Sequence, residues 1–244
     1  GTTTVADGDS KACVGLTYGD FVFDDRLEEV SQRIERQNTR VDDSGAPYVT
    51  IAYLGELDTP GHDTYNMAGV QGELVGMAMR QAQHNEFAGR NGSKGLRIKL
   101  LIGNGGRNWE HAPDVADQIV ERAEDESLGM DRPIVALGFG QSVAPNSEAI
   151  QRMSTARIPV IGTTATFDDV AAGGPEQPRS PYFFPTAPSN SRLAVQAANW
   201  ALEGASTVRH GRQITMEPAG NAAVIANAGA ASDGGDLEQY GPDL

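Results

Sequence analysis

The chain of 244 residues predicts an α/β fold, a doubly wound parallel sheet with flanking helices. Two observations carry that expectation. From residue 47 onward, short apolar runs alternate strictly with amphipathic helical stretches, and such alternation specifies parallel strands joined by right-handed helical crossovers. The composition, 39% hydrophobic and 21% charged, is that of a globular chain. At this length folding removes roughly 70–75% of the unfolded surface from water, so the core needs no covalent staple.

Residues 1–20 are rich in Gly, Thr and Asp, show no period, and are expected to form an arm. Leu27, Val30, Ile34 and Val41 then fall on one helical stripe, with Glu28, Glu29, Arg33 and Arg36 around it. Asp24 or Asp25 is the expected cap and Asp42-Asp43-Ser44-Gly45 the stop. The stripe is short for a dimerising coil and predicts a helix packed on the domain that follows. Arm and helix together occupy residues 1–46.

Tyr48-Val-Thr-Ile-Ala-Tyr53 reads as a buried strand, and a loop containing Pro60-Gly61 leads into a helix over residues 65–86. That helix presents Val70, Leu74 and Ala78 on one face, and the glycines between 89 and 95 end it. Leu96-Arg-Ile-Lys-Leu-Leu-Ile102 is the second strand, followed by the turn-rich Gly103-Asn-Gly-Gly-Arg-Asn108. Pro113 suits the first position of a helix whose inner face is Val115, Ile119, Val120 and Ala123. Pro133-Ile-Val-Ala-Leu137 is the third strand, residues 142–157 are loop and helix, and Ile158-Pro-Val-Ile161 is the fourth strand. The loops at the carboxyl ends of these strands begin at Leu54, Gly103, Gly138 and Gly162 and share one edge, where such sheets bind ligands. Tyr182-Phe-Phe184 is a short extended piece. Ser189 or Ser191 is expected to cap a helix carrying Leu193, Ala197 and Trp200. Ala222-Ala-Val-Ile-Ala226 reads as a further strand whose partner helix is not reached by Leu244, so the chain is expected to be truncated, or to have its remainder on another chain.

The charge excludes several classes of function. With 33 Asp and Glu against 19 Lys and Arg, the chain carries −14, which opposes binding to nucleic acid through phosphates and to anionic membrane surfaces. Cys13 is the single cysteine, so no disulfide framework and no cysteine-based zinc site is expected within the chain. No apolar run approaches the roughly 18 residues of a membrane span, and no signal-peptide pattern opens the chain. No cofactor and no metal site is expected: His62, His84, His111 and His210 are scattered without paired spacing.

Gly140-Gln141-Ser142-Val143-Ala144 approaches the G-x-S-x-G nucleophile elbow and lies between a strand and a helix. Asp168, Asp169 and His210 follow, so the order of a serine hydrolase is available, with Ser142 as nucleophile. Against it stand Ala144 in place of the last glycine and Pro145 where the helix should already run; the other role for Ser142 is to cap that helix or offer its hydroxyl to a ligand. Gly138-x-Gly140-x-x-Val143 is a broken dinucleotide fingerprint, and the next strand ends in Ile161-Gly162 rather than the acid that would hold a ribose. Gly103-Asn104-Gly105-Gly106 lacks the Lys-Ser/Thr of a P-loop. Trp109 either covers the edge loops or packs. The acidic clusters are solvated faces.

Residues 133–169 carry a resemblance. Pro-Ile-Val-Ala-Leu-Gly-Phe-Gly-Gln-Ser, a helix, and then Ile-Pro-Val-Ile-Gly-Thr-Thr-Ala-Thr resemble the amino-terminal lobe of type I periplasmic solute-binding proteins, the receptors that bring branched-chain amino acids, amides and related solutes to ABC transporters. Residues 48–86 look like that family's opening strand, loop and long helix. Ser180-Pro-Tyr-Phe-Phe-Pro-Thr-Ala-Pro-Ser-Asn-Ser191 is similar to its crossover between lobes, and Ala222 to Ala226 match the second lobe's first strand. The resemblance implies an amino-terminal α/β lobe over 47–188 and, over 189–244, the crossover and a truncated start of the second lobe. It implies extracytoplasmic capture of a small polar solute, an amino acid or amide, without catalysis. The partner would be a membrane permease or a sensor domain, on the same or another chain, with membrane attachment through a part outside this chain. It also implies a ligand site. Ser142, with Asn146 nearby, takes the place of the hydroxyl that meets the ligand carboxylate. Thr164 and Thr166 match the loop after the fourth strand, and Tyr65 matches an aromatic wall. Short hydroxyls and free N–H groups can bind a zwitterion without a fixed countercharge. The departures at Val143 and Ala144 suit a domain of the same fold that has lost its ligand and serves as a protein-interaction module.

Overall fold

The computed structural model describes residues 2–7, 10–58, 64–90, 95–172, 179–219 and 221. In chain order these form β1 (Thr2–Asp7), β2 (Ser10–Thr17), α1 (Glu28–Ser44), β3 (Tyr48–Gly55), α2 (Thr64–Arg90), β4 (Arg97–Asn104), α3 (Ala112–Glu124) and β5 (Pro133–Gly138). They continue with α4 (Ala144–Thr155), β6 (Val160–Gly162), β7 (Phe183–Pro185), α5 (Asn190–Glu203), β8 (Ala205–Arg209) and β9 (Arg212–Met216).

The main sheet has seven strands in the order β1-β2-β4-β3-β5-β6-β7. The five from β4 to β7 pair in parallel, as the alternation of strands and helices requires of β3 to β6; β7 joins β6 in parallel with no intervening helix among the described residues. The side chains of β3 and β4 sort by parity. Ala52, Leu54 and Leu101 join Val115, Ile119, Ile150 and Met153 of α3 and α4 in one core. Tyr53, Leu100 and Ile102 join Val30, Ile34, Leu74 and Ala78 of α1 and α2 in the other. Helices therefore cover both faces, and the doubly wound α/β class holds.

The expected stripe of α1 is buried, with Asn38 completing it between Ile34 and Val41. Asn38 is a buried staple: its amide donates to the Tyr18 and Leu100 carbonyls at 2.8 Å each, and its oxygen accepts from Leu100 N–H at 3.0 Å and from Gln81 of α2 at 2.8 Å. Gly45 ends the helix in the left-handed region at φ 59°, a conformation that costs glycine least. Pro113 takes the second position of α3, behind Ala112.

Three expectations are corrected. Residues 1–20 do not form a loose arm: β1 and β2 pair antiparallel, and β2 pairs antiparallel with β4 through Gly15–Asn104, Leu16–Gly103 and Thr17–Ile102. Val14 and Leu16 enter the core beside Trp109, but two apolar residues alternating with Gly15 and Thr17 are too short a pattern to stand out among Gly, Thr and Asp. Ser189 does hold the N-cap position of α5, but makes no capping hydrogen bond with its side chain. Asp168, from the loop after β6, accepts the Ser191 N–H at 3.0 Å and the Ser191 hydroxyl at 2.6 Å. Nor does Ser142 cap α4, whose N-cap is Val143 with no side-chain bond. The stretch around His210 and Gly211 is the turn between β8 and β9, and both residues have positive φ, at 50° and 73°, the signature of a two-residue hairpin turn. The strand expected at 222–226 lies outside the described residues.

Candidate functional site

The strand order reverses between β4 and β5 on either side of β3, and the crevice at the carboxyl ends of these strands is where sheets of this class bind ligands. A cleft of about 290 Å³ lies there. Each of four consecutive strands supplies a wall: Tyr53 and Glu56 from the end of β3, Trp109 from the loop after β4, Gly140 and Gln141 after β5, and Thr164 after β6. Val70 and Glu73 of α2 close the remaining side.

The chemistry of this cleft is acidic and aromatic. Tyr53 is almost fully buried, and its hydroxyl donates to Glu73 Oε2 at 2.8 Å. Burial, reinforced by the neighbouring Glu73 carboxylate, holds the Tyr53 phenol well above the usual tyrosine range, so it stays a neutral donor throughout the physiological range. Glu56 is 4% exposed and its Oε1 accepts the Asn108 N–H at 3.0 Å. Trp109 is 3% exposed, and its indole N–H meets no partner among the described residues. No Lys, Arg or His belongs to the described lining.

Backbone strain gathers around the same edge. Asn108, Trp109 and Phe139 have φ of 51°, 64° and 54°, which for bulky Trp and Phe is a costly conformation. Gly138, at φ 103°, leads into this loop, and a Cβ there would lie 2.2 Å from the Leu54 carbonyl. At Gly140 a Cβ would sit 2.7 Å from Thr164 Oγ1 and 3.9 Å from Glu73 Oε1, so the absence of a side chain is part of what keeps the cleft open.

Of the residues expected at the site, Thr164 lines the cleft, exposed, with its hydroxyl donating to the Gly140 carbonyl at 2.7 Å. Ser142 and Asn146 lie behind it. Ser142 is 1% exposed and its Oγ accepts the Phe167 N–H at 3.1 Å, tying the loop after β5 to the loop after β6. Asn146 is fully buried; its amide donates to the Gln141 carbonyl, while its side-chain oxygen has no partner among the described residues. Thr166 lines a neighbouring cleft against β7 and α5. Tyr65 stands in the first turn of α2, and its side chain, like His62, lies outside the described residues. Tyr53 and Glu73 were not singled out by sequence. The available signal was position: Tyr53 at the end of a strand that feeds the ligand edge, and Glu73 next to the inward stripe of Val70 and Leu74.

The serine-hydrolase geometry is not formed at Ser142. A nucleophile elbow holds its serine exposed on a strained turn, whereas here the strain falls on Gly138 and Phe139 and the Ser142 hydroxyl is buried and engaged. His210 sits on the turn of the separate two-stranded sheet.

No protein-family model matches the chain, and no curated protein matches it. Among solved structures, the chain is similar to an ABC transporter substrate-binding protein from Desulfitobacterium hafniense, at 15% identity over 64% of this chain and 38% of that one, with a TM-score of 0.44. It is also similar to an ABC transporter substrate-binding protein from the same organism in complex with Leu, at 15% identity over 65% of this chain and 39% of that one, with a TM-score of 0.44. The matched part spans about two-fifths of the length of those proteins.

Proposed function

We propose that this chain is the amino-terminal lobe, with the beginning of the second, of a type I solute-binding protein. It captures a small polar solute, an amino acid or amide, without catalysing a reaction. It acts outside the cytoplasm and delivers the solute to an ABC permease, or reports it through a sensor domain on the same or another chain, with membrane attachment through a part beyond this chain. The observation that carries the reading is the cleft at the strand-order reversal, built from four successive strand-end loops around the Gly140 backbone. Glu73, with Tyr53 behind it, suits the ammonium or N–H end of such a solute. Thr164 and Tyr65 would touch the solute, while Ser142 and Asn146 would hold the loops that carry Gln141 and Thr164. Thr166 would act from the adjoining loop.

Thermal unfolding in the presence of a panel of amino acids and carboxamides tests the reading. A ligand of the native state raises stability by mass action, by about 2.7 kcal/mol at one hundred times its dissociation constant. At least one member is expected to raise the midpoint, and Glu73→Gln is expected to abolish most of that rise. A panel with no stabilising member would sink solute capture and leave the interaction-module role for the same fold.

A further inference from the structure

A second cleft, about 620 Å³ in volume, lies beyond the first at the end of the sheet. Its polar lining is Thr166, Arg179, Thr186, Ser189, Arg192 and Gln196. The charge here is opposite to that of the first cleft, and it runs against the composition: in a chain with 33 acidic and 19 basic side chains, two guanidiniums face one space. Neither Arg179 nor Arg192 has an ion pair or a side-chain hydrogen bond among the described residues, and neither does Gln196.

The surrounding groups are already occupied. Asp168, whose carboxylate attracts Arg179 without pairing with it directly, accepts the N–H and hydroxyl of Ser191 at 3.0 and 2.6 Å. The Asn190 N–H donates to the Thr166 carbonyl at 2.8 Å, so the first amides of α5 are spent inside the protein. The Thr186 hydroxyl donates to the Gly162 and Thr163 carbonyls at 3.1 and 2.9 Å. The Ser189 hydroxyl shares a hydrogen bond with that of Ser191 at 3.2 Å, and the side chains of the lining that carry donors without a hydrogen-bond partner among the described residues are the two guanidiniums and the Gln196 carboxamide. Arg179 is also held in place. Its backbone bridges to Ala172, and its guanidinium lies over the Phe183 ring, 5.8 Å from the ring centre, a cation–π contact that leaves its N–H donors available.

From this geometry we infer that the cleft between β7 and α5 binds an anionic group, a carboxylate or a phosphate, through Arg179 and Arg192. Paired guanidiniums recognise either group by parallel N–H donors. The site goes beyond the solute cleft: among the described residues no lining residue is common to both, and the loop after β6 joins them, through Thr164 on one side and Thr166 on the other.

Amide NMR of the whole chain titrated separately with inorganic phosphate and with acetate, against sodium chloride at matched ionic strength, tests the inference. Saturable shifts are expected at Thr166, Ser189 and Gln196 with at least one of the two anions, and the tighter of the two identifies the group recognised. The double variant Arg179→Gln with Arg192→Gln is expected to weaken that binding at least tenfold. Both arginines are exposed, and an unchanged circular dichroism spectrum shows that the fold survives. Glu73→Gln is expected to leave anion binding unchanged, so failure here and failure of solute capture are told apart. Shifts that do not saturate, that chloride reproduces, or that persist in the double variant would overturn it.

Discussion

At the scale of single residues, the chain places its chemistry where strands end. Gly140 is the sharpest case. Gly140→Ala pushes a methyl group toward Thr164 and Glu73; it meets first the Thr164 hydroxyl, which must leave its 2.7 Å bond to the Gly140 carbonyl, so the expected result is a narrowed cleft at a cost of about 1 kcal/mol, that of one hydrogen bond, read by comparing ligand response and unfolding midpoint in one preparation. Lys99 shows the opposite economy. It is buried at the start of β4, its Nζ lies 2.8 Å from Asp42 and 2.9 Å from Asp131, and the Tyr18 and Tyr48 rings flank it at 4.9 and 5.0 Å. Burial works against its charge, but hydrogen bonds to Asp42 and Asp131 outweigh burial and raise its pKa. Lys99→Met is expected to cost about 2 kcal/mol, the range for a hydrogen bond to a charged group, measured by urea unfolding. In the same cluster, burial and then the hydrogen bond to Asp131 push Tyr48 up to about 12 from 10.0. The folded state thus keeps a proton that the unfolded state loses, so this contribution to stability is complete below pH 10 and disappears as pH rises toward 12. Unfolding followed across that window should show it, and Tyr48→Phe should remove it. None of this cluster was legible in sequence, because its members are spread from Tyr18 to Asp131 and only the fold brings them together.

Among the elements, legibility followed the length of the pattern. The stripe of α1 and the runs of β3, β4 and β5 were readable because each repeats its period several times. β2 was not, since among its described side chains Val14 and Leu16 alone enter the core. Leu16→Ala is expected to cost about 2–4 kcal/mol, the range for a buried leucine, whereas a loose arm would tolerate it; chemical denaturation distinguishes the two. The hairpin of β8 and β9 stands at the other extreme. All of β9 and nearly all of β8 is exposed, and a two-stranded sheet alone is marginal in water. Its amides are therefore expected to exchange with solvent well ahead of those in β3 and β5, as hydrogen exchange would read directly.

Taken as a whole molecule, the parallel order of β3, β4, β5 and β6 was implied by the alternation of elements, and with it the edge at which a ligand would sit; β7 follows β6 with no helix between them among the described residues and read only as a short extended piece. What the alternation could not supply was which residues at that edge face open space. Ser142 looked prominent because of its glycine-flanked loop, yet its hydroxyl is used to join two loops. Tyr53 and Glu73 looked like ordinary members of a strand and a helix, yet they line the cleft. A small polar solute in this cleft would lie against Trp109 on its wall, which provides the reporter. With Trp200, the other tryptophan, replaced by Phe, the emission of Trp109 can be followed while amino acids and carboxamides are added. A saturable change is expected for at least one of them, with its loss in Gly140→Ala. Emission that stays flat across the panel, or a response that Gly140→Ala leaves intact, would contradict it.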